Sequence, residues 1–309
     1  MRKFCEKIME GKIMKRLALL LAAMGIVSAA AMAETPKLEV THFNQEIEIE
    51  NENGNQTFDD VWLFNNVGLK YNDWTFGIQA GKQWSVDLDG DSTHSDNARL
   101  QMDVWKPVTE NLKLGTRVRL QDNYDRYYFN WDWSNGMFYS FGESWYESAN
   151  EGDNTDSINL ESQVIGLRYG RFGVSYYLGY YGMMGSTSQG EKDYETEHQV
   201  RLFADLYRGE KLTLSTEARI TVADDVEMEG SNVAHREYDD FGRTRVYLRA
   251  NYKVTESLDV YGYYAYEWRD WSYENGDSRD NYTASLGKDA KGAAAENYQD
   301  IGIGWTYKF

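Results

Sequence analysis

Ile301-Gly302-Ile303-Gly304-Trp305-Thr306-Tyr307-Lys308-Phe309 is the stretch that decides the fold. Apolar and aromatic side chains at every odd position alternate with glycine, threonine and lysine. A period of two belongs to a β-strand, whose successive side chains point to opposite faces. The same alternation recurs upstream. Leu212, Leu214, Thr216, Ala218, Ile220 and Val222 share one face against Thr213, Ser215, Glu217, Arg219 and Thr221. Leu112, Leu114, Thr116, Val118 and Leu120 oppose Lys113, Gly115, Arg117, Arg119 and Gln121, and Ala98, Leu100, Met102 and Val104 oppose Arg99, Gln101, Asp103 and Trp105.

Counting such segments between turn signals predicts twelve strands, near residues 37–50, 58–71, 74–84, 97–106, 112–122, 157–169, 172–182, 198–207, 212–222, 241–252, 258–268 and 297–309. Their connections alternate between short (72–73, 107–111, 170–171, 208–211, 253–257) and long (85–96, 123–156, 183–197, 223–240, 269–296). Short turns on one side, long loops on the other and an even strand number describe a transmembrane barrel. A water-soluble sandwich needs no such asymmetry. Tyr71, Trp74, Trp105, Tyr169, Phe172, Tyr207 and Tyr252 gather at the short-turn ends, as an interfacial girdle would. The expected fold is therefore all-β, a transmembrane antiparallel up-and-down β-barrel of about 12 strands. The alternative is 14, with Tyr124 to Trp133 and Met137 to Glu147 forming one more hairpin.

Composition agrees. The 24 tyrosines, 10 tryptophans and 12 phenylalanines against 2 prolines favour pleated sheet. After residue 33 no apolar run approaches the length of a membrane-spanning helix, and a closed barrel is the other way a backbone can cross lipid. The chain carries −18, its first 33 residues carry +4, and the remainder is therefore −22. So acidic a chain is a poor partner for nucleic acid.

At the N-terminus, Met14-Lys15-Arg16 precedes an apolar run from Leu17 to Val27, and Ala31-Met32-Ala33 supplies a small-x-small cleavage pattern. Residues 14–33 are expected to be a signal peptide cut between Ala33 and Glu34, with residues 1–13 an extension ahead of the true start at Met14 and 34–309 the barrel. The only cysteine, Cys5, lies in that extension, which leaves the barrel without disulfides or thiolate metal sites.

If the apolar faces meet lipid, the opposite faces meet water. Counted from the short turns, Arg99, Arg117, Arg119, Arg201, Arg219 and Arg245 stand at similar height on the water-facing side, with Arg243 and Arg249 on the same strand as Arg245. Asp103, Asp205 and Asp259 fall closer to the turns. An arginine-rich wall in an acidic protein places the excess negative charge in the loops, and the longest, 123–156, carries Asp125, Asp132, Glu143, Glu147, Glu151 and Asp153. Arginines paired with Glu217 or Asp205 merely to fill a small barrel are the competing reading.

The terminal strand, with Ile303, Trp305, Tyr307 and Phe309, resembles those of outer-membrane barrel proteins generally, where the aromatic ending is the signal read by the barrel-assembly machinery. More narrowly, the leader at 14–33, the acidic chain and the Gly302 to Phe309 ending look like the major porins of fusobacteria. The twelve-strand count looks like the acidic-oligosaccharide channels of enterobacteria, from which the long acidic loops depart. The resemblance implies an outer-membrane location among lipid and lipopolysaccharide, a homotrimer, and a channel for passive diffusion of ions and small hydrophilic solutes. It also implies that loop 123–156 folds inward, so that Glu143 and Glu147 face the arginines across a constriction. Such a transverse field makes a pore selective.

Catalysis has little to stand on. Of the histidines, His42 and His198 fall in strands and His94 and His235 in loops, none in an arrangement that activates a nucleophile. Asp87-Leu88-Asp89-Gly90-Asp91 has part of a calcium loop, but Ala98 stands where a bidentate glutamate belongs. Asp239-Asp240 is the one paired carboxylate for acid/base work. No enzyme activity, cofactor or metal is expected. An adhesin or receptor using aromatic loops such as Tyr127 to Trp133, or a barrel hydrolase, are the alternatives.

Overall fold

Strands with one apolar and one polar face must separate lipid from water, and the chain does so by closing its sheet on itself. The computed structural model describes residues 37–51, 60–87, 92–150, 156–185, 192–228, 236–273 and 297–309. Among them are fourteen strands: β1 (Glu39–Asn51), β2 (Asp60–Tyr71), β3 (Trp74–Asp87), β4 (Ser92–Pro107), β5 (Leu112–Gln121), β6 (Tyr124–Asn135), β7 (Phe138–Ala149), β8 (Ser157–Tyr169), β9 (Phe172–Met183), β10 (Lys192–Arg208), β11 (Leu212–Met228), β12 (Arg236–Lys253), β13 (Leu258–Tyr273) and β14 (Tyr298–Lys308). Each pairs antiparallel with its neighbours in the sequence, and β1 pairs with β14 to close the barrel, Ile47 opposite Ile303 and Glu48 opposite Gly302.

The count is fourteen, not twelve, because the segment taken as the longest loop is a hairpin in the wall. In β6 both faces carry large or charged residues, Tyr127 and Phe129 outward against Arg126 and Tyr128 inward, so the period-two contrast is weak. Gly136-Met137 then makes the two-residue turn into β7, with Gly136 in the left-handed region at φ 63, where a side chain is costly. Only Asp122-Asn123 joins β5 to β6 on the loop side, an exception to the short-and-long rule.

The barrel is inside-out by the standard of a soluble protein. Ile303 is 62% exposed and Leu248 52%, facing outward, while Asp300, on the inner face of the same strand as Ile303, is 5% exposed. A polar group facing lipid still needs a partner, and the outward Thr216 donates its hydroxyl to the Tyr247 carbonyl at 2.8 Å. At the short-turn rim Tyr169, Phe172, Tyr207 and Tyr252 are exposed, and the Lys106 ammonium sits 4.8 Å from the Trp74 ring. Trp105 does not belong to that girdle. It shares the inner face with Asp103, as its alternation with Val104 requires, and lines an inner cavity.

β5 has 10 residues, about what a tilted strand needs to cross the hydrocarbon layer, whereas β10 to β13 have 17, 17, 18 and 16. With short turns joining β10 to β11 and β12 to β13, the extra length of these strands rises on the loop side.

The inner glycines of β14 have a steric purpose. Tyr263 and Tyr261 of β13 lie across Gly302 and Gly304, where a Cβ would collide with their rings. A leucine at Gly302 is expected to displace Tyr263 and cost about 1–3 kcal/mol, as overpacking does. Urea unfolding of Gly302→Leu, followed by tryptophan fluorescence, checks this; an unchanged midpoint would contradict it.

Candidate functional site: the charged lumen

Inward-facing residues follow from the register. Arg201, Arg219 and Arg245 stand directly opposite one another on β10, β11 and β12. Arg99, Arg117, Arg119 and Arg126 occupy β4, β5 and β6, with Arg119 opposite Arg126. In the strand order these form two basic arcs roughly across the barrel from each other. Two acidic arcs lie between them: Glu143, Glu147 and Glu161 on β7 and β8, and Glu267, Asp300, Glu46, Glu48 and Glu50 on β13, β14 and β1. The lumen thus alternates in sign around its circumference.

Each basic arc is held flat to the wall. Arg117 donates from Nε to Asp103 at 2.5 Å and from a terminal nitrogen to Glu143 at 2.7 Å. Arg126 meets Glu147 at 2.5 Å, Arg219 meets Glu217 at 2.7 Å, Arg249 meets Glu217 at 2.8 Å and Arg245 meets Glu267 at 2.6 Å. Arg243 bridges Glu197 and Glu267 at 3.3 and 3.4 Å. Lower down, Asp205 pairs with Arg208 and Asp259 with Lys308.

Arg99, Arg119 and Arg201 make no ion pair among the described residues. They hydrogen-bond Gln121, Gln101 and Gln199 at 3.1, 2.9 and 2.8 Å. Their guanidinium planes lie on aromatic rings, Arg99 4.5 Å from Trp62, Arg119 5.5 Å from Tyr128 and Arg201 3.5 Å from Tyr177. Arginine suits this role better than lysine, because its planar, weakly hydrated cation both stacks and donates in a fork.

Glu143 and Glu147 are therefore not on a loop folded into the lumen. They stand on β7 and meet arginines along the wall, because residues 124–149 are strands. Nor is the acidic excess confined to loops. Glu46-Ile47-Glu48-Ile49-Glu50 alternates as cleanly as any strand and points its carboxylates inward, a signal that reading the acids as loop residues passed over.

The lumen retains space. A cavity of about 700 Å³ is bordered by Trp105, Asn130, Glu143, Glu161, Tyr177 and Arg201, and one of about 290 Å³ by Tyr181, Glu197, Arg219, Arg243, Arg245 and Glu267. A third, of about 570 Å³, lies toward the short turns beside Asn44, Asn66, Gln79, Gln101 and Asp103. Asn130 is 1% exposed and its side-chain amide has no hydrogen-bond partner among the described residues.

The remaining sequence candidates fall elsewhere. His42 on β1 contacts the Thr41 hydroxyl at 3.0 Å, and His198 on β10 the outward-facing Tyr176 hydroxyl at 2.6 Å. His94 is in β4 rather than a loop, since Ser92 to Ser95 extend the ladder with β3. Tyr127 to Trp133 are wall residues of β6, not an aromatic loop, so they offer no loop surface for a partner. Residues 88–91, His235, the leader with its cleavage point at Ala33 and Glu34, and the side chains of Asp239 and Asp240 lie outside the described residues. In the terminal strand Ile303, Trp305 and Tyr307 face outward, Trp305 against Phe43 at 5.4 Å and Tyr307 against Phe309 at 5.1 Å.

A closed fourteen-stranded barrel with an apolar exterior and a charged interior defines the class: the protein is a multi-pass β-barrel of the bacterial outer membrane. Among solved structures it is similar to a bacterial polysaccharide outer membrane secretin, at 9% identity over 87% of this chain and 98% of that one, with a TM-score of 0.52. It is also similar to the outer-membrane OmpT of Vibrio cholerae (12% identity, 90% and 99% covered, TM-score 0.45) and to an engineered porin of Rhodopseudomonas blastica (12%, 88% and 100%, 0.35). Compared with protein-family models and with curated proteins, the sequence matches none.

Arg117 holds two carboxylates and Arg119 none, so their removal should differ in consequence. Arg117→Ala is expected to cost about 2 kcal/mol, below the roughly 3–5 of a fully buried pair because both partners touch water. Arg119→Ala should cost under about 1 kcal/mol, the worth of an ordinary hydrogen bond. Denaturant midpoints of the two variants decide the order.

Proposed function

We propose that the protein is a porin, a narrow water-filled channel through which ions and small hydrophilic solutes diffuse down their gradients. The observation that carries this reading is the direction of the lumen's interactions. Every ion pair among the described residues joins one strand to itself, to its neighbour, to the next strand but one or to an adjoining turn; none reaches across the barrel. A barrel filled for stability alone would interlock side chains across its axis. Here the charges line the passage and leave cavities beside it.

Arg99, Arg117, Arg119, Arg201, Arg219 and Arg245 form the constriction in this reading, with Glu143 and Glu147 as wall partners rather than a facing loop. Arg99, Arg119 and Arg201 have no carboxylate partner among the described residues and set the local positive field. Opposed arcs of either sign orient polar solutes and resist apolar ones, so passage rather than chemistry is the activity. Ile303, Trp305, Tyr307 and Phe309 serve as the assembly signal, and the outer face meets lipid and lipopolysaccharide. The overall layout, which resembles the fusobacterial major porins, supports the reading. Fourteen strands remove the basis for the likeness to twelve-stranded oligosaccharide channels.

The test is conductance of the purified protein in a planar bilayer under a salt gradient. Discrete open steps are expected, and the triple variant Arg99→Ala, Arg119→Ala, Arg201→Ala should move the reversal potential toward cation preference. A folded barrel that passes no current would overturn the proposal. A conducting triple variant with unchanged reversal potential would remove these arginines from the selectivity filter.

A further inference from the structure

Three carboxylates meet at the closing seam of the barrel, and their arrangement points to an ion. Glu48 and Glu50 project inward from β1 and Asp300 from β14, directly opposite Glu50 in the register. One oxygen of each lies within 4.8 Å of the others. Two oxygens bound to one calcium-sized ion at about 2.3–2.6 Å can be no more than about 5 Å apart, so the three fit a single coordination sphere. None of them has an ion-pair partner among the described residues. Of the arginines whose charge reaches the cluster, Arg245 is engaged with Glu267 and Arg99 with Gln121 and the Trp62 ring, and neither forms an ion pair with it.

Proximity of acids is not enough, and Asp300 supplies the second observation. Its side chain is 5% exposed, and its buried Oδ1 accepts no hydrogen bond. A buried carboxylate oxygen with no donor, beside two further carboxylates, is costly unless a cation or a proton compensates it. The surroundings favour a cation. Tyr263 donates its hydroxyl to Glu48 at 2.8 Å and Tyr298 to Glu50 at 2.9 Å, which orients each carboxylate through its Oε1. Hydrogen bonds of this kind orient the carboxylates of metal sites.

We propose that Glu48, Glu50 and Asp300 bind one divalent cation of calcium's class, coordinated by carboxylate oxygen from both the first and the last strand. Without nitrogen or sulfur ligands the site suits a hard ion and not zinc or copper. The ion clips β1 to β14, so it stabilises closure of the barrel, and it neutralises part of one acidic arc. This holds whether or not the lumen conducts.

The experiment uses the folded full barrel, with terbium(III) as the probe, since it takes calcium's oxygen ligands and is excited by nearby tyrosine. Wild type should show a saturable luminescence step that calcium displaces. Asp300→Asn should lose that step, Tyr263→Phe should weaken it by roughly 10-fold, and Glu110→Gln on an exposed turn should leave it unchanged. Calcium should raise the unfolding temperature of wild type but not of Asp300→Asn. Should Asp300→Asn fail to fold, Glu50→Gln replaces it in both measurements. Identical terbium titrations for wild type and the folded ligand variant would overturn the proposal. So would an Asp300→Asn protein that is more stable than wild type in chelator and binds terbium equally, which would mean that a proton holds the cluster.

Discussion

In hydrocarbon no water is at hand to satisfy a free amide or carbonyl, and the pairing of β1 with β14 is what leaves this sheet without an edge there. Everything else depends on that closure. It forces each strand to show one face to lipid and one to the enclosed space, and so sends Ile301, Ile303 and Trp305 outward and Asp300, Gly302 and Gly304 inward along a single strand. Small residues at the inner positions of β14 then admit the rings of Tyr261 and Tyr263, whose hydroxyls reach past them to Glu46 and Glu48 of β1. The seam is joined by backbone, by ring packing and by side-chain hydrogen bonds at once.

Closure also concentrates charge. Confining so many ionised groups within a narrow ring would be costly if each stood alone, and the lumen reduces that cost in two ways. Carboxylates and guanidinium groups pair along the wall, as in Arg117 with Asp103 and Glu143, and the arginines without an acid lie against Trp62, Tyr128 and Tyr177. Both devices use neighbouring strands. Among the described residues no ion pair reaches across the barrel, which is what supports the proposed passage. Among the described residues neither device operates at the Glu48, Glu50 and Asp300 cluster, where three carboxylates lie beside one another without an ion-paired arginine.

Much of this architecture was legible in the alternation of residues. Twelve of the fourteen strands stand close to where period-two patterning places them, and the inward face of β5 and β11 is correctly read from Arg117, Arg119, Glu217 and Arg219. The β6 and β7 pair was harder because aromatic and charged residues occupy both of its faces, so neither face declares itself apolar. Trp105 shows a related ambiguity: an aromatic near a turn suits either an interfacial girdle or a lumen floor, and its alternation with Asp103 and Val104, borne out by the register, puts it on the inner face.

By itself, the sequence determined the fold class, the lipid-facing and water-facing side of most strands, and the presence of inward arginines, because these follow from local periodicity and the geometry of a pleated strand. Only the tertiary structure decided which charges meet. Whether Glu143 faces Arg117 across a pore or beside it along the wall depends on the strand order and stagger of the closed sheet. The same is true of Glu50 and Asp300, some 250 residues apart in the chain and brought face to face by closure alone. Pairing between distant strands is set by the cooperative register of the whole barrel, and no short stretch of residues contains it.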